Sequence, residues 1–134
     1  MKRVAIMAVF AAVPLAGCHI AWIDDPVWGP GGTEVQGRCT QWEHLIEAND
    51  LPVDQFSRVM YRESRCNPGA CNSRSGAAGL LQIMPQWITR WGICDDFSRS
   101  AGGCSVSALY DPGWNIYYAK KIYDIQGGRA WSTW

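Results

Sequence analysis

Net charge, histidine and long apolar runs are all scarce in this sequence. Its 134 residues carry 12 basic and 12 acidic side chains, a formal charge of zero, so the polycationic surface that nucleic acid calls for is missing. Only 2 histidines are present, and no Cys/His spacing reads as a zinc site. The apolar run 4–16 is 13 residues long and is interrupted by Pro14, whereas a membrane-spanning helix takes about 20. No segment repeats and none is of low complexity, which excludes solenoids and arrays.

What the chain does have is tryptophan, 8 residues, and cysteine, 6 residues, in a length that fits one domain with a real core. Many Trp with little net charge suit a neutral or mildly anionic ligand with apolar faces, such as a sugar, although Trp is also an ordinary core residue.

Met1-Lys2-Arg3 and the short apolar run after it have the dimensions of a secretory signal. The run ends in Leu15-Ala16-Gly17-Cys18, which resembles the lipobox of bacterial lipoproteins. That resemblance implies a signal peptide over 1–17, a lipid anchor at Cys18 with a Pro/Gly-rich tether to residue 38, and a domain over 39–134. The protein is then extracytoplasmic and membrane-anchored, or secreted if Cys18 keeps its thiol. Trp22 and Trp28 lie in the tether. Export permits disulfides. Lipidation leaves an odd number of thiols; the local pairs Cys66 with Cys71 and Cys94 with Cys104 are expected, with Cys39 left over.

Local signals predict a mainly helical domain. Thr40 with Glu43 forms the pattern of a capping box and predicts a helix to Ala48, ended by Asn49 and Asp50. Asp54 is the expected cap of a second helix, on which Phe56, Val59, Met60 and Glu63 share one face. Leu80 to Met84 reads as extended, and Pro85 opens a helix stopped by Gly92. Residues 93–109 form a long loop. Asp111-Pro112 caps the last helix, Trp114, Tyr118 and Ile125 lie along one side of it with Asn115, Tyr118, Ala119 and Ile122 on an overlapping face, and Gly127-Gly128 ends it.

Three polar residues interrupt otherwise apolar elements: Glu63, Gln82 and Asn115. Buried polar groups are either paired or face a cleft. A carboxyl at the end of an apolar stripe, in the last helical turn, is disfavoured as an anion and suits general-acid work.

In order and spacing, Glu63-Ser64, Gly79-Leu80-Leu81-Gln82-Ile83 and Asp111-Pro112 with Asn115-Ile116 and Ala119 resemble the motifs of lytic-transglycosylase (SLT) domains. Asn67-Pro68 and Pro85 fit the same pattern, and the resemblance spans 51–123. It implies a goose-type lysozyme-like fold, a mainly α single domain with long disulfide-clamped loops. It also implies cleavage of the MurNAc-β-1,4-GlcNAc bond of peptidoglycan to a 1,6-anhydro product. Glu63 would be the sole acid and base, and Ser64, Gln82, Asn115 and Tyr118 would bind substrate. Neither metal nor cofactor is implied, the partner is the glycan strand, and the chain is expected to be a monomer. The family's later Ala-Tyr-Asn segment is missing, and neither Tyr118 nor Tyr123 can be given its tyrosine's role. A hydrolytic muramidase remains the alternative, with Asp95-Asp96 as candidate second carboxylates, as does a non-catalytic glycan-binding wall protein.

Overall fold

A computed structural model describes residues 37–134. The expected signal peptide, Cys18, Trp22 and Trp28 lie outside the described residues. Among the described residues there are no strands, only isolated antiparallel bridges joining Cys71 to Ala78 and Ala78 to Ile83.

The first two helices form a hairpin. A 3-10 turn, Thr40–Trp42, leads into α1, Glu43–Ala48. The expected capping box does not form: Thr40 makes no cap bond, and Glu43 is instead drawn to Arg38, 2.7 Å away. Arg38 also reaches Asp54 at 2.6 Å, so the domain is already anchored one residue before Cys39. The second helix, α2, runs Val53–Ser64 and starts without a side-chain cap. Asp54 sits inside its first turn and pairs with Arg38 and Arg58, an ion-pair role in place of the cap expected of it.

The end of α2 is fixed by geometry that the sequence does not announce. Arg65 and Cys66 both have left-handed backbones, with φ of 55° and 63°, a conformation that disfavours non-glycine residues. A disulfide between Cys39 and Cys66 holds this turn, and the Trp42 indole donates to the Cys66 carbonyl at 3.1 Å. The pairing of Cys66 with Cys71 is thereby overturned. The helical hairpin brings Cys39 back to within 5.4 Å of Cys66, Cα to Cα, across 27 positions. Closing a loop of that length stabilises a fold by about 3.5 kcal/mol. The Cys94–Cys104 bond forms as expected.

The Leu-rich stretch is a tight turn, not an extended segment. Ala78 and Ile83 exchange both backbone hydrogen bonds at 3.0 Å, and the chain reverses between them. Gly79 is obligatory there: its φ is 77°, and a Cβ would lie 2.0 Å from the Leu109 carbonyl and 2.3 Å from the Asn115 amide. Leu80 and Leu81 go straight into the core.

Two short helices follow, α3 (Gln86–Thr89) and α4 (Asp96–Ser100), the latter inside the expected loop. Asp95 caps α4 through Ser98 in a full capping box. The long helix α5, Pro112–Gln126, begins as predicted, with Asp111 accepting from the Trp114 N–H and Pro112 in the first turn. It ends at Gly127, also as predicted. Phe56, Val59 and Met60 of α2, Ile46 of α1, Leu80, Leu81 and Ile83 of the turn, and Ile116, Ala119 and Ile122 of α5 make one core.

Candidate active site

Glu63 lies in the last turn of α2, half-buried where the Phe56–Val59–Met60 stripe meets the surface. Its Oε1 accepts a hydrogen bond of 2.6 Å from the hydroxyl of Thr133. Among the described residues no Lys or Arg forms an ion pair with it. Such a carboxyl is not consumed by a structural ion pair.

Thr133 is delivered to Glu63 by the segment 131–134, which is held at several points. The Trp131 indole donates to the Leu81 carbonyl at 2.9 Å. The Thr133 carbonyl accepts from Arg62 at 2.7 Å. Trp131 and Trp134 meet the Phe56 ring edge-on, at centroid distances of 5.2 and 5.3 Å. Trp134 also lies against Gly128, where a Cβ would come within 2.0 Å of the indole. Trp131 is buried in the core, whereas Trp134 is exposed and meets the core's Phe56 ring edge-on.

Gln82 follows Leu81, whose carbonyl accepts from the Trp131 indole. Its backbone is left-handed, φ 48°. Its side-chain amide donates to the Ala70 and Gly79 carbonyls at 3.2 and 3.0 Å, which fixes the unusual conformation. The amide oxygen accepts nothing among the described residues. Gln82, Met84, Trp87, Gln126, Ala130 and Trp131 border a small cleft of about 50 Å³.

The other residues expected to touch substrate lie deeper. Ser64 is buried, and its hydroxyl donates to the Met60 carbonyl of its own helix at 3.1 Å. Asn115 has no exposed surface. It accepts from the Leu81 N–H at 2.9 Å and donates to the carbonyls of Ala78 and Leu109 at 2.9 and 2.7 Å. Tyr118, equally buried, donates to the Gly103 carbonyl at 2.8 Å. With no exposed surface, Asn115 and Tyr118 are tied to backbone inside the fold and do not line a wall open to substrate.

The remaining carboxylates are mostly committed. Asp95 caps α4 and accepts from Tyr117 and Lys121. The Lys121 ammonium first, then the Tyr117 hydroxyl and the Ser98 N–H, hold its carboxyl well below the usual range. Burial, and after it the Asp95 anion, pushes the Tyr117 phenol up to about 12. Asp96 is exposed beside Arg99, Asp111 is a cap, and Asp124 pairs with Lys120. Among the described residues no group of three or more His, Cys, Asp or Glu is placed to hold a metal.

Thr133 escapes sequence reasoning. A threonine in a short Ser-Thr step between two Trp residues carries no periodicity or spacing signal, and its partner is 70 positions away.

A family model described as "Transglycosylase SLT domain" matches residues 41–128. Among curated proteins and solved structures, none matches the chain.

Proposed function

The chain belongs to the transglycosylase SLT domain family, and on that premise we propose that it cuts the MurNAc-β-1,4-GlcNAc bond of peptidoglycan, with Glu63 as single acid and base. Its mainly helical, disulfide-braced architecture is the lysozyme-like all-α fold, and family membership carries a transglycosylase-type action on peptidoglycan. The observation that carries the finer reading is the state of Glu63: half-buried at the end of an apolar helix face and bonded to a neutral hydroxyl rather than a cation.

In the proposed reaction the Glu63 carboxylic acid gives its proton to the glycosidic oxygen as the C1–O bond breaks. The resulting carboxylate takes the proton of the muramic acid C6 hydroxyl, whose oxygen bonds to C1 and closes a 1,6-anhydro ring. The proton thus returns to Glu63 and no water is consumed. A hydrolytic glycosidase needs a second carboxylate, about 5 Å away as nucleophile or roughly 6.5–9.5 Å away to activate water. Asp95, one of the two acids considered for that part, is engaged by Lys121 and Tyr117, which favours the internal hydroxyl over water. Gln82, with its free amide oxygen beside the cleft, is the proposed sugar contact, and Ser64, Asn115 and Tyr118 keep the walls in place.

Digestion of purified peptidoglycan followed by mass spectrometry of the fragments tests the proposal. Anhydro ends, one water lighter than reducing ends, are expected from the wild type. The Glu63→Gln variant should be folded and lose activity by a factor of about 10² or more, the scale of general acid–base catalysis. Reducing ends alone would make the enzyme a hydrolase, and an active Glu63→Gln variant would remove Glu63 from the chemistry.

A further inference from the structure

We infer that Thr133 is a positioning residue for Glu63, selecting which carboxyl oxygen carries the proton. The inference rests on the assignment of Glu63 as acid and base. A carboxyl has two chemically equivalent oxygens, and only one can face the glycosidic oxygen. The Thr133 hydroxyl lies 2.6 Å from Oε1, and an O–H donor there favours negative charge on Oε1. The proton is then carried on Oε2, the oxygen left to meet the leaving group and later to receive the C6 hydroxyl proton. A hydroxyl suits both halves of the reaction, because it keeps its hydrogen bond whether the carboxyl is protonated or ionised. An ammonium or guanidinium in its place would hold the group as a permanent anion.

The hydroxyl is aimed by the chain around it. The Thr133 carbonyl is tied to Arg62, the neighbour of Glu63, at 2.7 Å. On either side, Trp131 and Trp134 are seated on Phe56, two turns earlier on the helix that carries Glu63. Acid and hydroxyl are therefore referenced to the same helix, which is what fixed orientation between two groups requires. The hydrogen bond of Arg62 goes to the backbone, so changing the Thr133 side chain leaves that tie intact.

Kinetics on soluble, uncrosslinked glycan strands, with anhydro ends counted, test the role. Thr133→Val keeps the shape and loses the hydroxyl. It should lower kcat by roughly ten- to a hundredfold, the range for a lost hydrogen bond to a charged group, with KM within about twofold. Thr133→Ser should restore most of kcat. Wild-type kcat in the Val variant, or a Ser variant as impaired as Val, would overturn the inference, the latter by assigning the effect to the methyl group. If Val fails to fold, Ser and Ala take its place: an active Ser with an impaired Ala supports the inference, and equal activity of the two refutes it. An active Glu63→Gln variant would instead remove the underlying assignment. An inactive Glu63→Gln beside a fully active Thr133→Val would remove only the part given to Thr133.

Discussion

Asn115 ties three separate pieces of chain together from a position with no exposed surface. Leu81, Ala78 and Leu109 each give it one backbone group. Replacing it with Ala strands the buried Leu81 N–H and the Leu109 carbonyl, each costing about 1–3 kcal/mol when left unpaired, while the Ala78 carbonyl keeps its bond from the Ile83 N–H. Asn115→Ala should therefore lower unfolding free energy by about 2 kcal/mol or more, read from urea denaturation. Asn115→Asp should fare little better, since an ionised carboxylate has no donor for the two carbonyls. From the sequence, Glu63, Gln82 and Asn115 look alike, each a polar residue breaking an apolar pattern. Pattern detects that such a residue is buried or beside a cleft. It does not tell which, because that depends on whether the groups satisfying it come from distant backbone.

Helix ends divide along the same line. The two ends of α5 were legible, because Asp111-Pro112 and Gly127 act on backbone within a turn of themselves. The Thr40 box failed because Arg38 competes for Glu43, and the Cys39–Cys66 bond was hidden because it exists only once the α1–α2 hairpin has folded. The segment around α4 is bound to α5 by Asp95, through Tyr117 and Lys121. Since the Asp95 carboxyl is held below its ordinary value of about 3.9, the unfolded chain binds the proton more readily than the folded one. The stabilisation is complete above about pH 4 and fades as pH falls further, toward the folded value. Thermal melts of wild type and Asp95→Asn should differ most between about pH 5 and 7 and converge on acidification. A gap that widened in acid would contradict this account.

For the molecule as a whole, the family and the helical class were readable, because they rest on motifs contiguous in sequence. No helix among the described residues is long and apolar enough to cross a membrane. We propose that the chain is held at a membrane by a lipid on Cys18. Cys18→Ser should then move the protein from the membrane fraction to the soluble one, and unchanged fractionation would dismiss the anchor.

The bonds that complete the site are long in sequence: Glu63 to Thr133 spans 70 positions, Arg62 to Thr133 spans 71, and Leu81 to Trp131 spans 50. Contacts of such high sequence separation bear the largest loop-closure entropy and form late. While the polypeptide is being synthesised, Glu63 emerges on α2 long before the residue that aims it. If Thr133 aims Glu63 as proposed, a nascent chain should cut more slowly, by roughly ten- to a hundredfold, until residue 133 has joined the fold.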